Sequence, residues 1–527
     1  MEESPVQKLR PTWINDNEKK CCAVCDNAFS FLNRRHHCRA CGEICCGKCS
    51  EKRMDLNDLG YIGSQRVCSR CFNEHSEDNQ QTRIRRSVTS SRIICEDLLT
   101  LSDLLGRPIG LFLFSLTEYK LRWEVKGQEE GSISIQDILF VKKRGLYSFT
   151  VHSYPIKQTN EEGITRREEC SICIQCETTE HRESWFSELS LLVPPHLEPI
   201  AGDVTHLLVI LNPACGDKTA TALAWSQTEH IFRQSDFEIT YRWTERPKHA
   251  QDLIKKVKYQ KFKAIICIGG DGTLHELING ILLRDDSKHA SRIPISIIPA
   301  GTSNGFASQF DLLDPVNAAF RIMRGNKLNL DVMKVKIEDE TRYFFQSINW
   351  GLASEIDAKN SWGNFMRVAT SLKTYNGTIE YQAPINQPDL TFCNMKKDCK
   401  YCSNFDYDIE NEKTEIIEGP FVLVAACNLR KISIDIAAAP FSHLADGLFD
   451  LLVIGAACSK PQFLSLMSSI GDGSFINSPT FNLNPHIKYL RVKSFTLHST
   501  DTSSKFSADG DILPPLDTIK VSNCRYA

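Results

Sequence analysis

The sequence lacks any apolar run long enough to cross a bilayer: the longest candidate is Gly110 to Leu116, far short of the roughly 20 residues that a spanning helix needs. Its first residues, Met1 to Ser4, lack the basic and then apolar pattern of a secretory signal. Neither sign of charge dominates, since the net charge is −3 over 527 residues, and this argues against a broad nucleic-acid-binding surface. We therefore expect a cytoplasmic protein of three or four domains that meets membranes only peripherally and binds no nucleic acid.

Three common nucleotide-binding motifs are missing as well. The chain has no G-x-x-x-x-G-K-[ST] loop, no G-x-G-x-x-G turn, and neither H-R-D nor D-F-G. These absences disfavour P-loop enzymes, dinucleotide-dependent enzymes and protein kinases. If the chain binds a nucleotide, it must do so with another type of turn.

Cysteine, in contrast, is abundant and clustered. Ten of the 22 cysteines lie between Cys21 and Cys71, and in a reducing compartment such clustering indicates metal binding rather than disulfides. Cys21 and Cys45 fall outside the C-x-x-C spacing. The remaining eight form four C-x-x-C pairs, which predict two closed structural Zn²⁺ sites: Cys22 and Cys25, Cys38 and Cys41, Cys46 and Cys49, Cys68 and Cys71.

The residues around these cysteines resemble the FYVE zinc finger. The three matching segments are Trp13 to Asp16, Arg34 to Gly42 and Arg66 to Cys68, within a predicted finger at residues 10–76. The resemblance implies binding of phosphatidylinositol 3-phosphate on endosomal membranes, with Phe31 and Leu32 at a membrane-inserting tip. The alternative is that the arginines only offset the negative charge of two zinc-thiolate centres. The implied phosphoinositide-binding residues are Asp16, Arg34, Arg35, His36, His37, Arg39 and Arg66.

The next region is predicted to be a polar linker at residues 77–92 followed by a β-rich module at 93–192. Short alternating runs, such as Leu111 to Leu116, predict strands, and a helix with Trp185 on one side is expected from Thr178 to Leu192. Many strands closed by one helix are similar to a pleckstrin-homology-like module. A purely structural spacer fits the pattern as well.

The stretch from Ala264 to Leu282 predicts a buried strand, a sharp glycine turn and a helix, and such a turn directs backbone N–H groups towards phosphate oxygens. The same order of strand, turn and helix occurs four times between residues 201 and 327. We therefore predict an α/β lobe with a parallel sheet, in which all four turns meet at the carboxyl edge, where ligands bind.

These turns resemble the nucleotide motifs of the diacylglycerol and sphingosine kinase superfamily, and Thr244 to Ala250 resembles its sphingosine kinase branch. The resemblance implies an ATP-dependent lipid kinase, with an ATP lobe at 201–327, a lipid-binding β-sandwich lobe at 328–527 and Mg²⁺ bound with ATP. Asp271 becomes the predicted catalytic base. The implied ATP-binding residues are Asn212, Pro213, Lys218, Thr244, Gly270, Gly272, Thr273, Glu276, Gly301, Thr302, Asn304, Arg367, Asp509, Gly510 and Asp511.

The chain departs from the pattern of that family at three places. Lys218 is the lone basic residue of a loop that often carries several. Arg367 stands in a shortened basic segment. The late D-G-E of the family is Asp509-Gly510-Asp511 here, so the last acid is one methylene shorter. These departures keep open a different class of function, an inactive kinase fold that serves as a phosphoinositide-binding scaffold.

The lipid substrate is predicted from Asp357, which by its position resembles the acid that binds the amino alcohol in sphingosine kinases. A carboxylate pairs with the ammonium of a sphingoid base and has no partner on diacylglycerol; an ordinary surface acid is the alternative. An insert at 385–419 contains Cys393, Cys399 and Cys402, similar to a cluster in ceramide kinases. No fourth ligand is evident, so free thiols are expected, and ceramide and diacylglycerol remain alternative substrates.

Overall fold

The computed structural model describes most of the chain in four successive regions. The structure describes residues 19–25, 27–29, 34–56, 61, 64–72, 92–160, 164–198, 204, 206–337, 340–359, 372–385, 388, 390–396, 398–403, 412–478, 481–482, 484–501 and 504–525. Among them, no helix is both long enough and apolar enough to span a bilayer.

The first region is a small finger whose core consists largely of cysteine side chains. Two antiparallel hairpins form it, and each strand has only three residues. So little apolar surface is buried that metal binding must supply much of the folding free energy. The strands are Arg35–His37, Ile44–Cys46, Arg53–Asp55 and Ser64–Arg66, and a 3₁₀ turn spans Lys48–Ser50.

The second region is a seven-stranded antiparallel sheet closed by one helix, Thr179–Leu192. Thr178 caps the helix by accepting a hydrogen bond from the backbone N–H of His181. Trp185 is buried and donates from Nε1 to Asp97 at 2.8 Å, which fixes the helix on the sheet. This arrangement agrees with the pleckstrin-homology-like prediction. The strands are Cys95–Ser102, Pro108–Leu116, Lys120–Val125, Gln128–Ser134, Ile138–Arg144, Ser148–Ser153 and Ile172–Gln175, with a separate hairpin of Ile156–Thr159 and Thr165–Arg167.

The third region contains the predicted parallel sheet. Its four strands lie in the order Glu238–Trp243, His206–Leu211, Phe262–Gly269 and Ile295–Pro299, and every neighbouring pair is parallel. The central strands are apolar because both of their faces are covered. The helices are Ala220–Arg233, His249–Lys256, Asp271–Leu282, Ser287–Ala290, Gly305–Gln309 and Pro315–Met323, and Tyr259–Lys261 forms a 3₁₀ turn.

The fourth region is a sandwich of two six-stranded antiparallel sheets around a core that includes Trp350, Phe421 and Phe449. The first sheet runs in the order Glu340–Phe344, Val332–Ile337, Thr518–Cys524, Ser494–Ser499, Gly377–Pro384 and Glu412–Glu418. The second runs Ile487–Val492, Phe449–Gly455, Phe421–Cys427, Ser347–Gly351, Phe506–Ala508 and Asp511–Ile512. The helices are Leu352–Lys359, Lys400–Ser403 and Lys460–Ser468, with a 3₁₀ turn at Ser474–Asn477.

The second and third regions share one apolar core, in which Leu139, Phe140 and Leu197 pack with the residues of the parallel-sheet lobe. Arg324 closes this junction. Its guanidinium donates to the carbonyls of Pro194, Gln136 and Ile138 at 3.0, 2.7 and 2.5 Å. The two regions therefore pack against each other through a shared core and are not joined by a linker alone.

Candidate active site and metal centres

The four turns predicted to bind ATP do meet at the carboxyl edge of the parallel sheet. Gly270 and Gly301, from two different turns, approach so closely that a Cβ on Gly301 would lie 2.5 Å from the Cα of Gly270. Only glycine fits both positions. A Cβ on Gly272, in contrast, would meet nothing within 4 Å, so the backbone beside Asp271 faces open space.

Asn212 joins three of these turns. Its side chain donates to Thr273 at 2.9 Å, and its Oδ1 accepts from the Thr244 hydroxyl at 3.2 Å and from the Ala214 N–H at 3.0 Å. Thr273 is buried. Asn212 therefore orders the turns, while Pro213 and Lys218, which stand in its loop, are exposed.

Asp271 is the first residue of its helix and is only 9% exposed. Its two carboxylate oxygens accept hydrogen bonds from the backbone N–H groups of Gly305 and Phe306, at 2.8 and 3.1 Å. Burial raises the pKa of Asp271, the two amides and Gln346 oppose that rise, and the charge of Asp509 adds to it. The carboxylate is thus held in a fixed orientation at the edge where the turns meet.

Other predicted ATP-binding residues surround this edge. Gly272, Thr302 and Gly510 are exposed, and Asn304 bridges its own turn by bonds to the backbone of Gly301. Glu276 accepts from the N–H groups of Lys248 and Ala250 at 2.9 and 3.0 Å and so caps the start of helix His249–Lys256. Its carboxylate is engaged within the protein.

The two acids of the D-G-D segment have different environments. Asp509 is buried and accepts from the backbone N–H groups of residues 345, 346 and 347, and from His275 at 2.9 Å. Asp511 is exposed. Asp509 therefore positions the start of strand Ser347–Gly351, and Asp511 is the acid that a ligand can reach.

Asp357 lies on helix Leu352–Lys359 and contacts the second sheet of the sandwich. Its Oδ2 accepts from Asn349 at 3.0 Å and from Ser507 at 2.5 Å. Burial raises the pKa of Asp357, and these two hydrogen bonds oppose the rise. Asn349 lies in strand Ser347–Gly351, which begins one residue after Gln346, so this strand leads from the surroundings of Asp271 to those of Asp357.

Two buried polar atoms beside this site have no hydrogen-bond partner among the described residues: Gln309 Nε2 and Asn349 Oδ1. Unpaired buried donors and acceptors are costly, so they mark positions where a ligand can supply partners. Sequence reasoning missed Gln346 and His275, because neither stands in one of the recognised motifs. The only available signal was their position next to motif residues.

The eight predicted zinc ligands form two clusters in an interleaved order. The first and third C-x-x-C pairs combine, as do the second and fourth, and within each cluster the sulfurs lie within 4.8 Å of one another. Four cysteine sulfurs gathered this closely suit the tetrahedral coordination of zinc. The donor sets thus fit Zn²⁺: Cys22, Cys25, Cys46 and Cys49 in one site, and Cys38, Cys41, Cys68 and Cys71 in the other.

The basic residues of the finger lie on its hairpins, Arg35, His36 and His37 on one strand and Arg66 on another. Burial lowers the pKa of His36, and the positive charges of Arg66, Arg39 and Arg34 lower it further. Arg34, Arg39 and Arg66 therefore form a positive cluster around the imidazole of His36. Asp16, Phe31, Leu32 and Arg367 lie outside the described residues.

Comparisons with known proteins agree with this geometry. Residues 206–335 match the diacylglycerol kinase catalytic domain, 12–77 the FYVE zinc finger, and 400–522 the YegS C-terminal NAD kinase beta sandwich-like domain. The chain is 29% identical to sphingosine kinase 1 of Arabidopsis thaliana over 345 residues, which cover 59% of the chain and 69% of that protein. It is 24% identical to human sphingosine kinase 1, covering 58% of the chain and 86% of that protein.

A solved diacylglycerol kinase from Bacillus anthracis aligns with a TM-score of 0.42 at 18% identity, covering 62% of this chain and 96% of that one. On the family matches and the curated relatives, the chain is a lipid kinase of the diacylglycerol and sphingosine kinase superfamily. More particularly, it joins that kinase to an N-terminal FYVE zinc finger, as the sequence predicted.

Proposed function

We propose that the protein is an ATP-dependent kinase of sphingoid bases that converts sphingosine to sphingosine 1-phosphate on endosomal membranes. The observation that carries the choice of substrate is the pair formed by Asp357 and Asn349. Asp357 offers a half-buried carboxylate, and the adjacent Oδ1 of Asn349 is a buried acceptor without a partner among the described residues. An ammonium group donates to both, and its positive charge offsets the burial that raises the pKa of Asp357.

ATP is proposed to bind across the four turns. Asn212, Thr244 and Thr302 offer short polar groups, and the backbone around Gly272 lies at the N-terminus of a twelve-residue helix, where N–H groups and the helix dipole favour phosphate. Lys218 supplies the only positive side chain that the loop after Asn212 carries. Gly270 and Gly301 keep side chains out of the space that the phosphates need.

Asp271 is proposed as the general base. It accepts the proton of the lipid's primary hydroxyl at a carboxylate oxygen while the hydroxyl oxygen attacks the γ-phosphate. A positioned base contributes roughly 10²–10⁴-fold, and orientation and charge compensation supply the rest of the rate in a loose phosphoryl-transfer transition state. Gly305 and Phe306 hold the carboxylate in position through their amides.

Mg²⁺ would enter with ATP and neutralise charge between the β- and γ-phosphates. Of the acids near this edge, Asp511 is exposed and its oxygen suits this hard cation, so we assign the metal contact to Asp511. Asp509 keeps a positioning role because backbone amides and His275 occupy it.

Membrane recruitment is proposed to depend on the finger. Arg34, Arg35, Arg39, Arg66 and the two histidines supply donors for a multiply charged headgroup, and arginine pairs with phosphate in a fixed bidentate geometry. The headgroup proposed is phosphatidylinositol 3-phosphate, which the resemblance to FYVE fingers supports. The kinase lobes would then act on a lipid of the same bilayer.

The test is a substrate panel with the purified full-length protein, comparing phosphorylation of sphingosine, ceramide and diacylglycerol. We expect a preference for sphingosine. Asp357→Asn should lower kcat/KM for sphingosine by about 30-fold or more, as a loss of about 2 kcal/mol implies, and should leave activity on the uncharged lipids unchanged. A preference for ceramide or diacylglycerol would overturn the sphingoid assignment and the role of Asp357.

A second variant separates an enzyme from a scaffold. Asp271→Asn should lower ATP-dependent phosphorylation by about 10²–10⁴-fold, whereas Asp285→Asn, an exposed aspartate of the same lobe, should not. Equal rates for wild type and Asp271→Asn would rule out catalysis through Asp271. No phosphorylation of any lipid by the wild type would favour the phosphoinositide-binding scaffold.

A further inference from the structure

The described part of the insert that was predicted to carry three free thiols, residues 390–396 and 398–403, packs on the core of the parallel-sheet lobe beside a histidine of the sandwich lobe. Cys393, Cys399 and Cys402 lie around a single point with the Nδ1 atom of His443, and their four ligating atoms all lie within 4.8 Å of one another. His443 belongs to the connection between strands Phe421–Cys427 and Phe449–Gly455. It stands 41 residues after Cys402, which is why no spacing rule pointed to it.

The distances within this cluster match a tetrahedral zinc site. The Cys393 sulfur lies 3.8 Å from that of Cys399 and 3.7 Å from that of Cys402. The Nδ1 atom of His443 lies 3.4 and 3.8 Å from the sulfurs of Cys399 and Cys402. Two sulfurs on one tetrahedral zinc, each about 2.3 Å from the metal, are separated by about 3.8 Å. A disulfide would require about 2.05 Å.

The finger of the same chain provides an internal standard. There the sulfurs of Cys25 and Cys46, two ligands of one predicted zinc site, also lie 3.8 Å apart. The insert cluster therefore reproduces the sulfur separation of a site whose metal the FYVE match supports.

Contacts around the cluster also orient its ligands. The Nε2 atom of His443 lies 3.2 Å from the carbonyl oxygen of Thr391, so Nε2 carries the proton and Nδ1 presents its lone pair to the sulfurs. The ring of Tyr401 packs against the imidazole at 4.8 Å between centroids. A carbonyl that fixes the histidine tautomer in this way is a common feature of metal sites.

Three of the four groups are buried, so the cluster lies inside the protein and is not a chance grouping of surface side chains. Cys393, Cys399 and His443 are 5%, 3% and 1% exposed. Four donors leave no open coordination position, which is typical of a structural rather than a catalytic zinc site.

We propose that Cys393, Cys399, Cys402 and His443 bind a third Zn²⁺, a closed structural site that fastens the insert to the sandwich lobe. This proposal does not rest on the identity of the lipid substrate. It requires a metal ion to be bound whether or not the enzyme prefers sphingosine.

The cysteine and histidine cluster is linked through the backbone to one of the four turns that are proposed to bind ATP. The segment between Cys427 and His443 packs on the last of them, where the Ile434 N–H donates to the Ser303 carbonyl at 3.2 Å and the Lys431 N–H donates to Gln309 at 3.3 Å. Zinc at His443 fixes one end of this segment, and the sheet fixes the other. The metal thereby holds the segment that supports the turn after strand Ile295–Pro299.

The test is a count of zinc per chain in the purified full-length protein by elemental mass spectrometry. Wild type should contain three equivalents and Cys402→Ser two. Cys458→Ser provides the matched control, since Cys458 is a buried cysteine of the same lobe outside the three clusters, and it should retain three equivalents.

His443→Cys keeps four ligands and is therefore expected to retain three equivalents, which preserves the test if Cys402→Ser fails to fold. Two equivalents in the wild type would overturn the proposal. Three equivalents in both wild type and Cys402→Ser would overturn it too, because the third ion would then lie elsewhere. Two equivalents in His443→Cys would likewise count against it. None of these outcomes depends on kinase activity, so failure here and failure of the proposed reaction are distinguishable.

Discussion

At the scale of single residues, the environment of Asp271 has a direct consequence for the pH dependence of the reaction. Burial raises the pKa of this carboxyl, and the neighbouring charge of Asp509 acts in the same direction. As the proposed general base, Asp271 must be ionised, so on this proposal the rate is high above its pKa and falls as the pH is lowered through it.

We therefore predict an acid limb in the kcat profile that lies above 3.8, the ordinary aspartate value. The measurement is kcat at saturating ATP and lipid between pH 4 and pH 9. Samples returned to neutral pH should recover full activity, which separates titration from unfolding. An acid limb at or below 3.8 would contradict the role assigned to Asp271.

His275 makes a second residue-scale prediction. Burial lowers its pKa, but the hydrogen bond to Asp509 and nearby acids outweigh burial, so the net pKa is raised above 6.5. A raised histidine pKa means that the protonated form stabilises the fold, an effect fully present below about pH 6.5 and lost as the pH rises through the folded-state pKa. His275→Gln should therefore lower the melting temperature more at pH 6 than at pH 9. An equal loss at both values would show that the His275 charge adds no stability.

At the scale of elements, the junction between the second region and the parallel-sheet lobe depends strongly on one side chain. Arg324 donates to three backbone carbonyls and stacks on Phe320 at 4.8 Å. Burial lowers the pKa of Arg324 to about 10. Truncation of this side chain removes the donor from all three carbonyls, of which that of Ile138 belongs to a buried residue.

Arg324→Ala should destabilise the protein by about 2–4 kcal/mol, because bonds to a charged donor contribute more than neutral ones and orphaned carbonyls add a cost. The measurement is hydrogen exchange at helix Pro315–Met323 and strand Ile138–Arg144. Arg122→Ala is the control: Arg122 forms only an exposed pair with Glu129 at 3.7 Å and should have almost no effect. Unchanged exchange in Arg324→Ala would mean that the apolar contacts alone hold the junction.

Much of this architecture could be predicted from the sequence, because the patterns that indicate it lie within short segments of the chain. The four strand and turn repeats and the C-x-x-C pairs are short patterns, so periodicity and spacing were sufficient for the parallel sheet and for the zinc ligands. The predicted boundaries at 10–76, 93–192, 201–327 and 328–527 stay predictions. What could not be predicted depends on contacts between distant residues: the pairing order of the zinc ligands, the shared core at the Arg324 junction, and His443 beside the insert cysteines.

The D-G-D segment, Asp509 to Asp511, is another case in which contacts between distant residues could not be predicted from the sequence. Its resemblance to a family motif suggested ligand contacts for both acids, yet Asp509 is engaged by backbone amides and His275. That engagement depends on a strand more than 150 residues earlier in the chain. No local pattern contains such information.

At the scale of the whole molecule, the charge of the finger predicts how membrane binding responds to pH. Burial and the charges of Arg66, Arg39 and Arg34 lower the pKa of His36, so His36 is neutral in the free protein at neutral pH. A phosphate beside it raises that pKa and favours the protonated form. If His36 contacts the headgroup as proposed, binding takes up a proton.

We predict that affinity for vesicles containing phosphatidylinositol 3-phosphate rises as the pH falls from 8 towards 6. Sedimentation of the full-length protein with vesicles measures this, and vesicles with unphosphorylated phosphatidylinositol provide the control. His36→Gln should bind with a weaker dependence on pH. Equal wild-type affinity at pH 6 and pH 8 would argue against proton uptake at this site.

The apolar core shared by the second region and the parallel-sheet lobe limits how the enzyme can be shortened. A truncated protein that begins at the first strand of the lobe, His206–Leu211, would lack Leu139, Phe140, Tyr154 and Leu197. The apolar surface that these four residues cover would then be exposed to solvent. Such a fragment would retain all the proposed catalytic and ATP-binding residues, but we expect it to aggregate.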